Sequence, residues 1–162
     1  MKKSLIILFI LFTNVFVYSQ DIGKDPCQGD CENGYGIYTY SNGISKEGNW
    51  IEGKANGKFI IKYSNGSRFE GVLINDTIDG DGVYEDENFK LEGYLIQKYS
   101  ENGSYSIVLN GKGTLLSKMN NITQKGTFIN NKLTGPGIDE SDNRKIEATF
   151  KDGKAEGEGE IF

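Results

Sequence analysis

One ten-residue segment, Gly48-Asn-Trp-Ile-Glu-Gly-Lys-Ala-Asn-Gly57, recurs along this chain and decides its fold. Each copy starts with Gly or Ala, carries Trp, Leu or Phe two positions later, and ends with Gly. The further copies are Gly71–Gly80, Gly126–Gly135 and Ala148–Gly157. A pattern that keeps its spacing over most of a chain indicates a repeat architecture in which each repeat is one supersecondary unit.

Two further markers keep the same register. Tyr-Ser-Asn-Gly stands at 40–43 and again at 63–66, and Gly-x-Gly recurs with a period near 23 residues. In one copy Phe59 takes the place of the second glycine. Because three markers agree, we expect about six repeat units over residues 32–162.

Each unit is predicted to be a β-hairpin, because aromatic and β-branched runs alternate with turn-forming Asn, Asp and Gly. Asn42-Gly43 and Asn65-Gly66 fit two-residue turns that need positive φ at both central positions. The opposite hairpin ends fall at Glu52-Gly53, Asn75-Asp76, Asn130-Asn131 and Asp152-Gly153. No segment keeps the apolar periodicity of a helix, and interior glycine weakens helices. The predicted fold class is therefore all-β.

The alternation of side chains along a strand suggests what the glycines do. Residues two apart share a face, so Gly71 and Leu73 lie together, as do Gly126 and Phe128. We infer that rings of one hairpin cover the glycines of the next, where a Cβ would collide. The alternative is that glycine only permits bulges. The residues assigned to the repeat structure are Gly34, Gly36, Gly48, Trp50, Gly57, Gly71, Gly80, Gly82, Gly93, Gly111, Gly113, Gly126, Phe128, Gly135, Gly137, Phe150, Gly157 and Gly159.

A paired Gly-x-Gly about nine residues after Gly-x-aromatic, on this period, resembles the MORN (membrane occupation and recognition nexus) repeat family. The resemblance implies similar hairpins stacked into one elongated, single-layer antiparallel sheet. Two departures are that Ala148 and Phe59 each stand where the family has glycine. The family's tyrosine two residues before the first glycine is also missing, and only Phe69 keeps an aromatic there.

The fourth unit is longer than the others and predicts a hairpin at 94–110 that projects beyond its neighbours. Insertions in repeat proteins often lie on a binding face. Tyr94, Tyr99 and Tyr105 are therefore candidate binding residues, and a tolerated longer loop is the alternative.

The first residues have the layout of a secretory signal peptide. Lys2 and Lys3 precede an apolar run from Leu5 to Val17, which is too short to span a membrane. We expect a signal peptide at 1–19, cleavage before Gln20, and a secreted or periplasmic protein; the alternative is an uncleaved anchor.

Cys27 and Cys31 lie in the N-terminal segment, 20–31, and are the two cysteines of the chain. In an exported protein an even number suggests a disulfide, worth roughly 2 kcal/mol for so small a loop. The Gln28–Asp30 segment would then have to turn, since four residues along a strand span too far. Two free thiols are the alternative.

Charge and composition exclude several function classes. The absence of histidine excludes a Ser-His-Asp triad and histidine-ligated metals. Without Lys2 and Lys3, 16 basic side chains face 23 acidic ones, a net charge of −7. Such a chain is a poor candidate for nucleic acid or anionic lipid, so neither nucleic-acid nor membrane binding is expected of the mature chain. No motif indicates a cofactor.

The densest acidic stretch comprises Asp79, Asp81, Glu85, Asp86 and Glu87, which we interpret as a solvated edge rather than a metal site. Two functions remain open. The first is a non-catalytic scaffold for a protein or cell-envelope partner, since repeat arrays bind along extended faces. The second is a hydrolase acting on glycan through a carboxylate pair, which needs two acids across a cleft.

We also expect a monomer or weak dimer. The last strand carries charges that discourage pairing between sheet edges: Lys154, Glu156, Glu158 and Glu160.

Overall fold

The structure is a computed structural model that describes the backbone of residues 26–161 and the side chains of residues 26–156. The predicted signal peptide at 1–19 and the cleavage site before Gln20 lie outside the described residues. Within residues 26–161 there is no helix long and apolar enough to cross a membrane.

Within residues 26–161, twelve strands form one antiparallel sheet in which each strand pairs with the next along the chain. The predicted all-β fold of stacked hairpins is therefore confirmed. The strands are β1 (Cys27–Gly29), β2 (Tyr35–Thr39), β3 (Ser45–Ile51), β4 (Lys54–Lys62), β5 (Arg68–Ile74), β6 (Thr77–Glu85), β7 (Phe89–Tyr99), β8 (Tyr105–Ser117), β9 (Ile122–Ile129), β10 (Lys132–Ser141), β11 (Arg144–Lys151) and β12 (Lys154–Ile161).

One row of residues crosses the sheet from β1 to β11, and each member lies directly opposite the next. Phe59 and Ala148 hold two places in this row, and all the others are glycine. We call this set the glycine row: Gly29, Gly36, Gly48, Phe59, Gly71, Gly82, Gly93, Gly113, Gly126, Gly137 and Ala148. The row fixes a common register for the whole sheet.

Aromatic rings lie over the row in the first half of the sheet. A Cβ built on Gly48 would lie 2.7 Å from the ring of Phe59. A Cβ on Gly71 would lie 2.7 Å from Phe69, and one on Gly82 would lie 3.0 Å from the same ring. Phe69 is completely buried. The missing side chains therefore make room for buried rings.

Leucines replace the rings in the second half of the sheet, so the expectation of rings throughout is wrong there. The pairs are Leu109 over Gly93 and Gly113, and Leu133 over Gly126 and Gly137, with leucine methyl groups 2.7–3.1 Å from the missing Cβ positions. Both leucines are completely buried. At Gly93 and Gly113 the backbone of the paired strand is closer still, with the Lys112 and Glu92 carbonyl oxygens 2.3 and 2.2 Å from the missing Cβ positions, so close strand approach excludes a side chain there as well.

Two glycines have a different purpose: Gly57, which Phe59 follows in place of a second glycine, and Gly135, the first glycine of a Gly-x-Gly pair. Gly57 and Gly135 have φ of +91° and +75°, and a Cβ on either would meet no atom within 4 Å. Each lies in a β-bulge, where the pairing register shifts beside the glycine row. The bulge interpretation is therefore correct for these two positions, because their backbone conformation favours glycine.

The other assigned glycines lie next to specific atoms. A Cβ would meet the Cβ of Asp30 at Gly34, of Val72 at Gly80 and of Tyr94 at Gly111, each within 2.9 Å. Gly157 and Gly159 lie in β12, and the surroundings of their side-chain positions lie outside the described residues.

The two ends of the hairpins carry different turns. At one end Asn75 and Asp76 both have positive φ, as do Asn130 and Asn131. Glu52-Gly53 and Asp152-Gly153 share this geometry, so these four are the two-residue primed turns.

At the other end the expectation of primed turns at Asn42-Gly43 and Asn65-Gly66 is wrong. Only the glycine of each pair has positive φ. The Gly43 N–H donates to the Tyr40 carbonyl at 2.9 Å, while the Tyr40 N–H donates to the Ile44 carbonyl at 2.8 Å. The loop therefore contains three residues, one more than a primed turn. It is the hairpin loop whose last residue is a glycine in the left-handed conformation.

Glu52 occupies the left-handed region, with φ of +50°, although it is neither glycine nor asparagine. Replacing Glu52 with glycine is expected to raise the free energy of unfolding by about 1 kcal/mol, because the left-handed strain disappears. Urea unfolding measures the change, and Glu52→Gln, which removes only the charge, is the control. An equal gain in the free energy of unfolding for both variants would mean that the lost charge, and not the relief of backbone strain, is the cause.

The buried residues lie on the face of the sheet over which the covering rings and leucines lie, which we call the inner face. Trp50 is buried there, packs edge-on against Phe59 at 5.3 Å between ring centroids, and donates from its indole N–H to the Gly36 carbonyl. The opposite face, which we call the outer face, carries exposed Ile51, Ile74 and Ile129.

A disulfide joins Cys27 to Cys31. Gly29, between them, has φ of +95°, and β1 pairs with β2. A Cβ on Gly36 would lie 2.8 Å from the Cys31 sulfur, which takes the place that rings and leucines hold elsewhere. The disulfide therefore covers the inner face at its β1–β2 end.

Candidate functional site

The outer face carries a regular row of side chains immediately beside the glycine row. From β2 to β7, aliphatic and acidic residues alternate directly opposite one another. We call this set the outer row: Ile37, Glu47, Ile60, Glu70, Val83 and Glu92. Because neighbouring strands lie about 4.8 Å apart, its glutamates recur about every 9.6 Å.

An open groove of about 800 Å³ runs along the outer row. Its charged lining residues among the described part of the chain are Glu47, Lys58, Glu70, Asp81 and Glu92. Four acids against one lysine make the groove negative. Ile60 and Val83 give it an apolar strip between the acids, so it can accommodate a chain that carries both cationic and aliphatic side chains.

Two acids of the outer row have local partners. The Tyr35 hydroxyl donates to Glu47 Oε1 at 2.5 Å. Arg68 forms an exposed ion pair with Glu70 at 2.6 Å. Exposed pairs of this kind contribute at most about 1 kcal/mol, so a partner's cation can compete with Arg68.

Beyond the residues of β7 that pair with β6, the two strands of the long hairpin pair with each other, from Gln97↔Ile107 to Tyr99↔Tyr105. We call its extra residues, 97–107, the arm. Ile107 packs against the buried core, and Tyr105 lines one cavity together with Tyr63 and Tyr84. The arm therefore folds over the inner face.

A cavity of about 620 Å³ lies between the arm and the inner face. Its walls are mostly rings and aliphatic side chains, with some hydroxyl and amide groups. The lining comprises Tyr63, Asn65, Ser67, Tyr84, Asp86, Phe89, Leu91, Tyr105, Ser106, Ile107, Leu115 and Asn131. Three separate parts of the chain thus meet in one concave site: the loop at 63–67, strands β6 to β8 and the turn at 131.

Asp86 is the only carboxylate among the described residues that line this cavity. Its Oδ1 accepts the backbone N–H groups of Asn88 and Phe89 at 2.8 and 2.7 Å. Its Oδ2 accepts the Tyr84 hydroxyl at 3.1 Å. The carboxylate therefore holds the turn at 86–89.

The Tyr63 hydroxyl oxygen is shielded from solvent beside this cavity, and Tyr105 of the arm lies next to it. Burial raises the pKa of Tyr63 well above its usual value, and nearby Tyr105 adds to the shift. The hydroxyl therefore stays protonated and can donate a hydrogen bond.

The raised pKa of Tyr63 predicts a loss of stability in alkali. An unfolded tyrosine ionises near pH 10 while folded Tyr63 keeps its proton, so its contribution is complete below about pH 10 and falls as the pH rises further. Urea unfolding between pH 8 and 11.5 should show a decline of up to about 1.4 kcal/mol per pH unit from this group. Tyr63→Phe should flatten the decline, with exposed Tyr99→Phe as control. Parallel curves for wild type and Tyr63→Phe would contradict the assignment.

The three candidate tyrosines are not brought together. Tyr99 and Tyr105 contact each other edge-on, with ring centroids 6.0 Å apart, and Tyr105 lines the cavity. Tyr94 lies on the outer face, where its hydroxyl donates to Asp79 Oδ1 at 2.6 Å.

The acidic residues between Asp79 and Glu87 do not lie together in one site either. Asp81 lines the outer groove, Asp86 lines the cavity, and Glu85 pairs with Lys118, which lowers the pKa of Glu85. Among residues 26–156 no three His, Cys, Asp or Glu side chains are grouped so that they could hold a metal ion.

The sequence did not lead us to predict a set of hydrogen bonds that join each primed turn to the preceding unit. The Asn75 N–H donates to Asn56 Oδ1, and the Asp76 N–H donates to the Ala55 carbonyl, both at 3.0 Å. Equivalent bonds join Glu52 to Asn33 and Asn130 to Asn110. Each primed turn is thereby fixed on the unit before it. The sequence signal is an asparagine directly before the first glycine of Gly-x-Gly.

A comparison with protein families gives a match in three segments. The family model of the MORN repeat matches residues 32–45, 47–68 and 147–161. These segments include all of β2, β4 and β12, all of β3 except Lys46, and residues 147–151 of β11.

Proposed function

We propose that the chain belongs to the MORN repeat family, whose model matches three of its segments, and that it is an exported, non-catalytic scaffold that binds a protein or cell-envelope partner along its outer face. Nucleic acid and membrane are not the partners that we propose, because the mature chain is acidic. The observation that carries the proposal is the outer row, which repeats one arrangement across neighbouring strands.

The outer row supports a partner of definite chemistry. Glutamates at about 9.6 Å intervals, separated by Ile60 and Val83, suit a segment that carries Lys or Arg between aliphatic side chains. Extended faces of this kind are what repeat proteins use for binding.

Export is supported by two independent features. The basic and apolar start of the chain has the layout of a signal peptide. The Cys27–Cys31 disulfide fits an oxidising compartment outside the cytoplasm.

The glycan-hydrolase alternative needs two carboxylates that face each other across a cleft. The described lining of the inner cavity offers Asp86 alone, and its two oxygens are occupied by hydrogen bonds within the turn and to Tyr84. This arrangement favours binding over hydrolysis.

The test compares two charge-reversed proteins for capture of partners from a cell-envelope extract. One carries Glu47→Lys, Glu70→Lys and Glu92→Lys on the outer row. The matched control carries Glu87→Lys, Glu101→Lys and Asp142→Lys, which change the net charge equally at exposed turn positions. We expect the wild type and the control to capture the same partner and the outer-row variant to lose it.

Equal capture by both variants would contradict binding through the outer face. Release of reducing ends from envelope polysaccharide by the purified chain would contradict the non-catalytic assignment.

We further propose that the chain is a monomer or weak dimer. Among the described strands β1 and β12 form the two edges of the sheet, and charged residues such as Lys154 and Glu156 discourage edge pairing. Light scattering across a dilution series should give a mass that approaches the monomer, whereas a concentration-independent dimer would contradict this.

A further inference from the structure

We propose that the groove on the outer face binds a proline-rich protein segment in the polyproline II conformation, with a lysine or arginine at every third residue. This inference rests on the proposed function, because it assigns a sequence pattern and a conformation to the partner of the outer row. Three features of the groove point to this ligand: the spacing of its acids, its position within the sheet, and the side chains between the acids.

The spacing of the acids matches the repeat of a polyproline II helix. Glu47, Glu70 and Glu92 lie on β3, β5 and β7, so successive members are two strands, about 9.6 Å, apart. A polyproline II helix has three residues per turn and a rise of about 3.1 Å per residue, so every third side chain recurs on the same side after about 9.3 Å. The mismatch over the three acids is therefore about 0.6 Å in total.

Other backbone conformations do not keep step with the acids. An extended strand presents one face at every second residue, which is about every 6.6 Å. An α-helix presents one face again after two turns, or about 10.8 Å, so it is about 2.4 Å out of step over the three acids. The cations of a polyproline II segment can therefore reach all three carboxylates with the least adjustment.

The groove lies in the interior of the sheet, where a partner cannot add a strand. Strands β3 to β7 each pair with a neighbour on both sides. A peptide that binds as an additional strand needs an exposed sheet edge. A polyproline II segment makes no internal hydrogen bonds and keeps its backbone solvated, so it needs no backbone partners from the groove. Proline also lacks the backbone N–H donor.

The side chains between the acids suit proline rings. Ile60 and Val83 lie between the glutamates of the outer row and are only partly buried. The two residues between successive cations of the ligand come nearest to them, so proline rings at these places contact aliphatic groups. Tyr35 adds an exposed ring at the β2 end of the groove. Grooves that recognise proline-rich segments are typically lined by aromatic side chains.

The charge of the groove favours a cationic ligand. Lys58 is the one cation among its described lining residues, against four acids. Glu70 already pairs with Arg68, but both side chains are exposed, so a cation of the ligand can compete. Lys58 opposes such a ligand. Removing Lys58 should therefore strengthen binding, whereas removing an acid should weaken it.

The probe is a synthetic peptide, Lys-Pro-Pro repeated three times, with a fluorescent dye at one end. Two control peptides have the same composition, with the lysines either consecutive or at every second residue. A third control, Lys-Gly-Gly repeated three times, keeps the spacing on a flexible backbone. Anisotropy titrations with the purified chain at low salt should show saturable binding of one Lys-Pro-Pro peptide per chain. We expect it to bind at least about 5-fold more tightly than each control peptide.

Variants of the groove should change the affinity for the Lys-Pro-Pro peptide in opposite directions. Glu70→Gln, in the middle of the outer row, should weaken binding about 3- to 5-fold. Lys58→Gln should strengthen it about 2- to 3-fold. Glu87→Gln, at an exposed turn outside the groove, is the matched control and should leave the affinity unchanged.

Equal affinity for the Lys-Pro-Pro peptide and any control peptide would overturn the inference, because the spacing or the polyproline II backbone would then not matter. Absence of saturable binding would overturn it too, and so would an affinity that neither Glu70→Gln nor Lys58→Gln changes. Capture of an envelope partner that depends on the outer row would in that case still support the proposed function, so the two failures are distinguishable.

Discussion

Replacing Gly71 with alanine is expected to lower the free energy of unfolding by about 3 kcal/mol, a large loss for one added methyl group. The new Cβ would lie 2.7 Å from the Phe69 ring and 2.7 Å from both the Asp81 carbonyl and the Gly82 Cα. Two of these neighbours are backbone atoms in the middle of the sheet, so they cannot rotate away. Urea unfolding of the purified variant measures the loss.

Gly135→Ala is the matched control, since it makes the same change in the same sheet. A Cβ there would meet no atom, and only the left-handed φ of +75° opposes it, at about 1–2 kcal/mol. Similar losses for both variants would mean that backbone conformation, and not space beside the row, explains the glycines.

Phe69→Ala is expected to cost about 3–5 kcal/mol, because it empties a completely buried site. Phe69 lies over both Gly71 and Gly82, so nothing in the row can fill the space. Phe69→Leu should cost less than about 1.5 kcal/mol, since leucine covers the same kind of site at Leu109 and Leu133.

Ile74→Ala provides the exposed control for the Phe69 variants and should change stability by no more than about 0.5 kcal/mol. Thermal and urea unfolding give the comparison. A loss at Phe69→Leu as large as that at Phe69→Ala would show that an aromatic ring is specifically required, contrary to the account.

The strands and their common register could be predicted because both follow from local rules. Side chains alternate along a strand, so glycines at fixed spacing fall on one face and in one row. Gly71, Gly82 and Gly93 lie directly opposite one another for this reason.

The turns could be predicted only in position. Asn-Gly pairs suit a primed turn and a longer loop equally, and the difference depends on how many residues separate the paired strands. Tyr40 pairs across the loop with Ile44, which leaves three residues between them instead of two. Gly43 alone then needs the left-handed conformation.

The candidate site was the least predictable part, because it depends on contacts between distant segments. The length of the hairpin at 94–110 indicated an insertion but gave no direction for it. Tyr105 meets Tyr63 only because the arm folds over the inner face. The acids of the outer row, by contrast, could be located in the sequence, because Glu47, Glu70 and Glu92 each directly precede a glycine of the row.

The most direct test of the central claim, that the glycines make room for covering side chains, is a double-mutant cycle between Gly137 and Leu133. A Cβ on Gly137 would lie 3.0 Å from both methyl groups of Leu133. Gly137→Ala should therefore cost at least about 1 kcal/mol more in the wild type than in Leu133→Ala, where the leucine contacts are gone and only the Lys125 carbonyl oxygen, at 3.0 Å, stays close to the new methyl group. A second cycle between distant Gly57→Ala and Leu133→Ala should be additive. If the Gly137 and Leu133 changes are also additive by urea unfolding, the covering side chains are not the reason for the glycine row.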